Sequence, residues 1–279
     1  MTQALTWQIG DTRVARVEES IAPFAPDALL DGFEAHMLDA SSPWLRPAFF
    51  SAGGKLLLSV HTFVIESEGV TIVVDTCTGT EPPRDPDDGY LDRLAGEVEG
   101  GLAGVDMVLC THLHFDHVGW NTHLVDGQLM PTFPNARYLF NPVDVDHPLG
   151  DDQAHVVEAS VRPLLDAGLV DLVEPPHRLT PEIALVPTPG HTPGHVSVFI
   201  ESRGETGFIT GDTMYSPVQV AHPEVGAGRY DWDSALAAET RTSIVERYTD
   251  TTTLVLGSHF APPTAGFIRS TGDQRWFAP

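Results

Sequence analysis

Cationic side chains are scarce in this sequence. Lys55 is the single lysine, and 15 Lys and Arg face 39 Asp and Glu, for a net charge of −24 over 279 residues. A chain so acidic repels phosphate backbones and anionic lipid, which excludes nucleic acid and membrane surfaces as partners and leaves a small-molecule substrate. Long apolar runs are missing too, so no segment of about twenty residues is suited to cross a bilayer as a helix. The stretch Met1 to Trp7 has neither a basic cluster nor an apolar core. It reads as no export signal, and a cytoplasmic location is the expectation. Cysteine is limited to Cys77 and Cys110, which make no disulfide framework and suit a reducing compartment. No repeat period or low-complexity tract is present.

What is there is enough for a single domain over residues 1–279 with a substantial core. Trp7–Ile9 and Arg13–Glu18, joined at Gly10-Asp11, read as a hairpin. Residues 20–54 are rich in proline and aromatics, as in an arm or lid, or as a contact that makes a homodimer. Strands follow over Leu56–Glu66, Val70–Asp75, Val105–Cys110 and Arg137–Phe140. Leu91, Leu94 and Val98 fall on one helical face, and Ala154, Val157, Val161, Leu164 and Leu165 predict another helix closed by Gly168. The second half repeats strand and loop: Ile183–Val186, Val196–Ile200, Gly207–Thr210 and Thr253–Leu256, with a helix over about 233–247. Phe267–Ile268 and Arg275–Phe277 read as closing strands. Periodicity by itself gives a mixed α/β class.

The chemistry concentrates in Thr111-His112-Leu113-His114-Phe115-Asp116-His117, directly behind an apolar strand. Imidazole and carboxylate are the ligands of zinc and its first-row neighbours. His112 and His114, two apart, reach the same side of an extended segment. Asp116 and His117, around the following turn, can face a second ion. Of the other histidines, His123, His147, His155 and His177 read as solvated, His61 and His222 as structural, and His195 as a strand-start residue. Cys110 reads as a small packed hydrophobe.

His-x-His-x-Asp-His after a hydrophobic strand resembles the signature of the metallo-β-lactamase superfamily. Asp75 at a strand end, Pro189-Gly190-His191, Gly211-Asp212 and Gly257-Ser258-His259 follow the family's order. The resemblance implies a four-layer αββα sandwich. It also implies two divalent metal ions, one held by His112, His114 and His191 and the other by Asp116, His117 and His259, with Asp212 bridging. Zinc is the expected metal, and manganese, cobalt or iron suit the same donors. A hydroxide bridging the ions would be the nucleophile. Asp116 would also carry the proton to the leaving group. Asp75 would orient a ligand imidazole through its far N–H.

Tyr215, three residues after Asp212, stands where the acyl-homoserine lactonases of the family place a tyrosine that supports the substrate carbonyl, and Phe115 is shared with them. Residues 217–224 and 259–263 are more similar to the branch of methyl-parathion-type hydrolases, and Trp120-Asn121 to one that includes hydrolytic dehalogenases. Trp120 would wall the pocket. The expected activity is therefore hydrolysis of a small ester or lactone, with phosphotriester hydrolysis or aryl dehalogenation on the same metals as the alternative. An iron-dependent oxygenase is the alternative of another class, opposed by the full set of seven ligands.

Overall fold

Neighbouring residues of the apolar runs go to different cores. Phe63, Ile65, Ile72, Val74 and Leu109 face one way, where they meet Ile183, Leu185, Val198, Ile200, Ile209 and Leu256. Val64, Val73 and Val108 face the other way, toward Leu94 and Leu164 of the covering helices. Side chains alternate across a strand, so a strand covered on both sides is apolar at every position. That is why the sequence shows runs here and no polar alternation.

The structure, a computed structural model, describes residues 4–38, 43–79, 89–147 and 154–279. The first sheet holds β1 (Leu5–Ile9), β2 (Thr12–Phe24), β3 (Leu56–Ser67), β4 (Val70–Val74), β5 (Met107–Leu109), β8 (Arg137–Phe140) and β9 (Val170–Leu172), side by side in that order. A separate hairpin, β6 (Thr122–Val125) with β7 (Gln128–Pro131), lies between β5 and β8 in the chain. The second sheet runs β10 (His177–Arg178), β11 (Ile183–Pro187), β12 (Val196–Ser202), β13 (Glu205–Ile209), β14 (Leu254–Leu256), β15 (Ala265–Thr271) and β16 (Gln274–Ala278). The two sheets pack face to face, and helices cover the outer faces. Phe208 and Val255, for example, bury against Ile244, Val245 and Tyr248 of the helix Ser234–Tyr248. This is the expected four-layer αββα sandwich.

Two of the expected elements take another form in the structure. The single helix over 154–168 is two short ones, Ala154–Ser160 and Arg162–Asp166. Pro163 has no N–H for the carbonyl of Ala159 and its ring crowds that turn. The freed Ala159 carbonyl instead accepts the Thr122 hydroxyl at 2.7 Å. In the 20–54 segment, Ser20 to Phe24 continue β2 beyond a bulge and pair with Val60 to Leu56. Beyond them Leu30, Leu45, Phe49 and Phe50 are buried in the second half's outer core. Phe49 meets Phe260 and Phe277 edge-on at 6.2 and 5.9 Å. Among the described residues no helix is long and apolar enough to cross a membrane.

Phe63 is 1% exposed and fills the space between the sheets. Replacing it with alanine should cost about 3–5 kcal/mol, read as a lowered denaturant midpoint at unchanged slope.

Candidate metal centre

Parallel pairing sets β4 beside β5 and β13 beside β14, so carboxyl ends lie together within each sheet. Loops leaving those ends and that of β11 carry the candidate ligands, the usual place for a site in sheets of this kind. Asp75, just past β4, takes the left-handed conformation with φ 59°. Its N–H donates to the Leu109 carbonyl at 2.8 Å, and its Oδ1 accepts the Thr111 N–H at 2.7 Å. Both carboxylate oxygens also accept from the Thr111 hydroxyl. The turn that opens the histidine motif is thereby fastened to the neighbouring strand end.

The structure gathers all seven expected ligands into two groups. In the first, His112, His114, His191 and Asp212 bring their donor atoms within 4.8 Å of one another. His114 Nδ1 stands 3.0 Å from His112 Nε2 and 2.9 Å from His191 Nε2. In the second, Asp116, His117 and His259 converge within the same limit, with the two imidazole Nε2 atoms 3.3 Å apart. The Asp212 carboxylate is divided between the groups. Its Oδ2 lies 3.3 Å from His191 Nε2 and 3.7 Å from His112 Nε2. Its Oδ1 lies 3.2 Å from His117 Nε2 and 3.1 Å from His259 Nε2.

These residues fit divalent cations. Asp212 Oδ1 is buried and makes no aligned hydrogen bond, close as two imidazoles are. Atoms that approach one another without donating are aimed at a common point, as ligands of one cation are. Three of the far nitrogens are engaged elsewhere. His191 Nδ1 meets Asp231 Oδ1 at 3.0 Å, His259 Nδ1 donates to the Ser59 carbonyl at 2.8 Å, and His112 Nδ1 lies 3.1 Å from Thr111 Oγ1. Asp75 Oδ2 stands 2.9 Å from His117 Nδ1, close enough for an ion pair but not aligned as the hydrogen bond expected of it. A far nitrogen that keeps its proton leaves the near lone pair for metal.

Charge is distributed accordingly. Burial, together with the neighbouring imidazoles, pushes His112 and His114 well below the usual histidine range. For His117 burial acts the same way, but Asp212, Asp75 and Asp116 outweigh it and hold the ring well above that range. Burial works against an ionised Asp212, yet His117, His259 and His112 hold its carboxyl well below the usual range. Six of the seven side chains are buried, and Asp116, 15% exposed, is the one that reaches solvent.

Tyr215 lies beside both groups, its ring centroid 5.8 Å from that of His191 and 5.2 Å from that of His259. Burial pushes its phenol well above the usual range, and the charges of Asp212 and Asp116 add to this. Trp120 corrects an expectation. It is 4% exposed, stacked near Tyr90 at 6.0 Å, with its indole N–H on Glu19 at 2.9 Å. It packs in the first half's core and does not present a flat pocket wall.

His195 does more than start a strand. Its Nε2 accepts the Asp212 N–H at 2.8 Å, while Nδ1 reaches the Thr188 hydroxyl and carbonyl at 2.8 and 3.1 Å. Burial pushes it down to about 3, so the ring stays neutral and Nε2 remains an acceptor. Asp231, 40 residues beyond His191, was not legible from the sequence at all. For His195 the trace was Gly211, where a Cβ would come 2.5 Å from His195 Nε2.

A sandwich whose strand ends converge on buried histidines and a shared carboxylate is the architecture of a metallohydrolase. The comparisons agree. A sequence model of the metallo-β-lactamase superfamily matches residues 57–259, and the chain belongs to that superfamily. It is 24% identical over 223 residues to an N-acyl homoserine lactonase of a Bacillus species, covering 74% of this chain and 82% of that one. It is 27% identical over 168 residues to the probable metallo-hydrolase MJ0888 of Methanocaldococcus jannaschii, covering 56% and 68%. Among solved structures it resembles AidC, a dizinc quorum-quenching lactonase, with a TM-score of 0.80 at 18% identity over 99% of this chain and 97% of that chain. The hydrolase AbOPH gives 0.81 at 21% identity over the same shares.

Gly211 has φ +54°, so alanine there meets both the His195 ring and backbone strain of about 1–3 kcal/mol. Gly211→Ala should lower the melting temperature and weaken zinc uptake together, the second measured by equilibrium dialysis.

Proposed function

We propose that the chain is a dinuclear metal-dependent hydrolase acting on small carboxylic esters or lactones, with zinc as its metal. The observation that carries this reading is the division of the Asp212 carboxylate, one oxygen toward each histidine group. A carboxylate between two cations offsets their repulsion, and seven donors exceed what one tetrahedral zinc uses. The similarity to lactonases supports the substrate class.

In this reading His112, His114 and His191 would hold one ion and Asp116, His117 and His259 the other, with Asp212 shared between them. Such ions would supply Lewis acidity and a bound water whose pKa falls from 15.7 to about 7. A protein nucleophile is not required. Cys110 stands directly before the motif, but burial and the Asp75 charge hold its thiol well above the usual range, which makes it inert. Water adds to the carbonyl carbon and the bond to the alkoxide oxygen breaks. Asp116, the ligand open to solvent, takes the proton from the attacking water and passes it to the departing alkoxide. Tyr215, kept as a neutral phenol, donates to the carbonyl oxygen as it gains charge. Two aromatic side chains beside the site, Phe115 and Trp232, are 41% and 60% exposed. They offer apolar surface to the acyl part of a substrate.

The test is proton release from a panel of lactones and esters by zinc-loaded protein. Asp212→Ala should abolish turnover, and Tyr215→Phe should lower kcat about 10²–10³-fold. Failure to turn over any of them with zinc bound discards the ester and lactone reading, and phosphotriesters are the next substrates to try.

A further inference from the structure

Strand β2 buries an arginine where its neighbours bury small apolar residues. Ala15 and Val17 are in the core, and the Arg16 side chain between them is 4% exposed. Burying a guanidinium is costly unless its donors are satisfied. Nη1 and Nη2 each donate to Glu18 Oε2 at 3.0 Å, while Nε is buried with no hydrogen bond. The remaining contact is directed inward, where Nη2 donates to the Ser59 hydroxyl at 2.6 Å. That hydroxyl also lies 2.9 Å from Nδ1 of His61, itself 4% exposed. Ser59 brackets His259 with both its backbone groups. Its carbonyl accepts the His259 Nδ1–H at 2.8 Å, and its N–H donates to the His259 carbonyl at 3.1 Å. The next residues, Leu58 and Phe260, form a bridge in the same place.

We propose that Arg16 is a positioning residue for the second metal ion, acting through Ser59 to fix the ring plane and tautomer of His259. This rests on the reading of His259 as a metal ligand. Three of the ligand imidazoles stand against different parts of the chain. His191 leans on Asp231 and His117 on Asp75, whereas His259 leans on a backbone carbonyl. A carbonyl is aimed only as well as its peptide is held, and the Ser59 peptide is held through its side chain by Arg16 and His61. Loss of that hold therefore falls on the His259 ion and spares the His112–His114–His191 group, which shares none of these contacts.

Zinc affinity is measured by competition with a chromophoric chelator on the parent chain, Arg16→Met, Arg16→Lys, Ser59→Ala and His259→Ala. His259→Ala identifies which equivalent belongs to the second group. Arg16→Met should weaken that equivalent about 10–100-fold and leave the other unchanged, with part of the loss recovered in Arg16→Lys. Ser59→Ala removes the hydroxyl and keeps the peptide, so it gives the same selective loss even where Arg16→Met folds poorly. Equal weakening of both equivalents, or none, in Arg16→Met and Ser59→Ala overturns the proposal while the dinuclear reading stands. A parent chain that takes up a single equivalent, unaffected by His259→Ala, overturns the dinuclear reading and this one with it.

Discussion

A buried carboxylate among imidazoles is the constraint on which the rest of this structure depends. Asp212 is 2% exposed and lies within 3.7 Å of four histidine nitrogens. An ionised carboxylate in such a place is costly unless positive charge stands beside it. The protein can supply that charge only by protonating the imidazoles, and the elevation of His117 and His259 shows the tendency. Divalent cations satisfy the same demand and leave every imidazole neutral. The group is thus suited to divalent cations.

Holding that carboxylate in place falls to residues outside the two groups. His195 fixes the peptide of Asp212, and Gly211 leaves the space that His195 occupies. On the other side of the first group Asp144 accepts the Thr192 hydroxyl at 2.8 Å and the Gly194 N–H at 2.6 Å, tying down the loop of His191. Asp75 performs the corresponding task for the histidine motif. These supports differ in chemistry as well as position. The carboxylate behind His191 makes that ring a better electron donor, while a backbone carbonyl behind His259 does less.

The wide sheets make such placement possible. Each ligand loop leaves the end of a strand whose side chains are locked on both faces, so loops drawn from distant parts of the sequence inherit the rigidity of one core. His117 and His259 are 142 residues apart in the chain and 3.3 Å apart at their nitrogens.

The sequence by itself determined the candidate ligands and the strands that deliver them. Histidine and aspartate at close spacing behind an apolar run have a chemistry that shows in one dimension, and strands buried on both faces show as unbroken apolar runs. The helix break at Pro163 was equally local, but the apolar spacing across it concealed it. Only the tertiary structure decided what braces each ligand. Arg16, Asp144, His195 and Asp231 are unremarkable in sequence because a hydrogen-bond partner tens of residues away leaves no periodic trace. Trp120 was misplaced for the same reason. Nearness to the motif along the chain suggested a pocket wall, whereas Glu19 and Tyr90, brought up by β2 and the helix Tyr90–Gly96, draw it into the core. Residue type and local pattern specify which atoms can bind a metal, and the direction in which those atoms point is fixed only when the sheets close on each other.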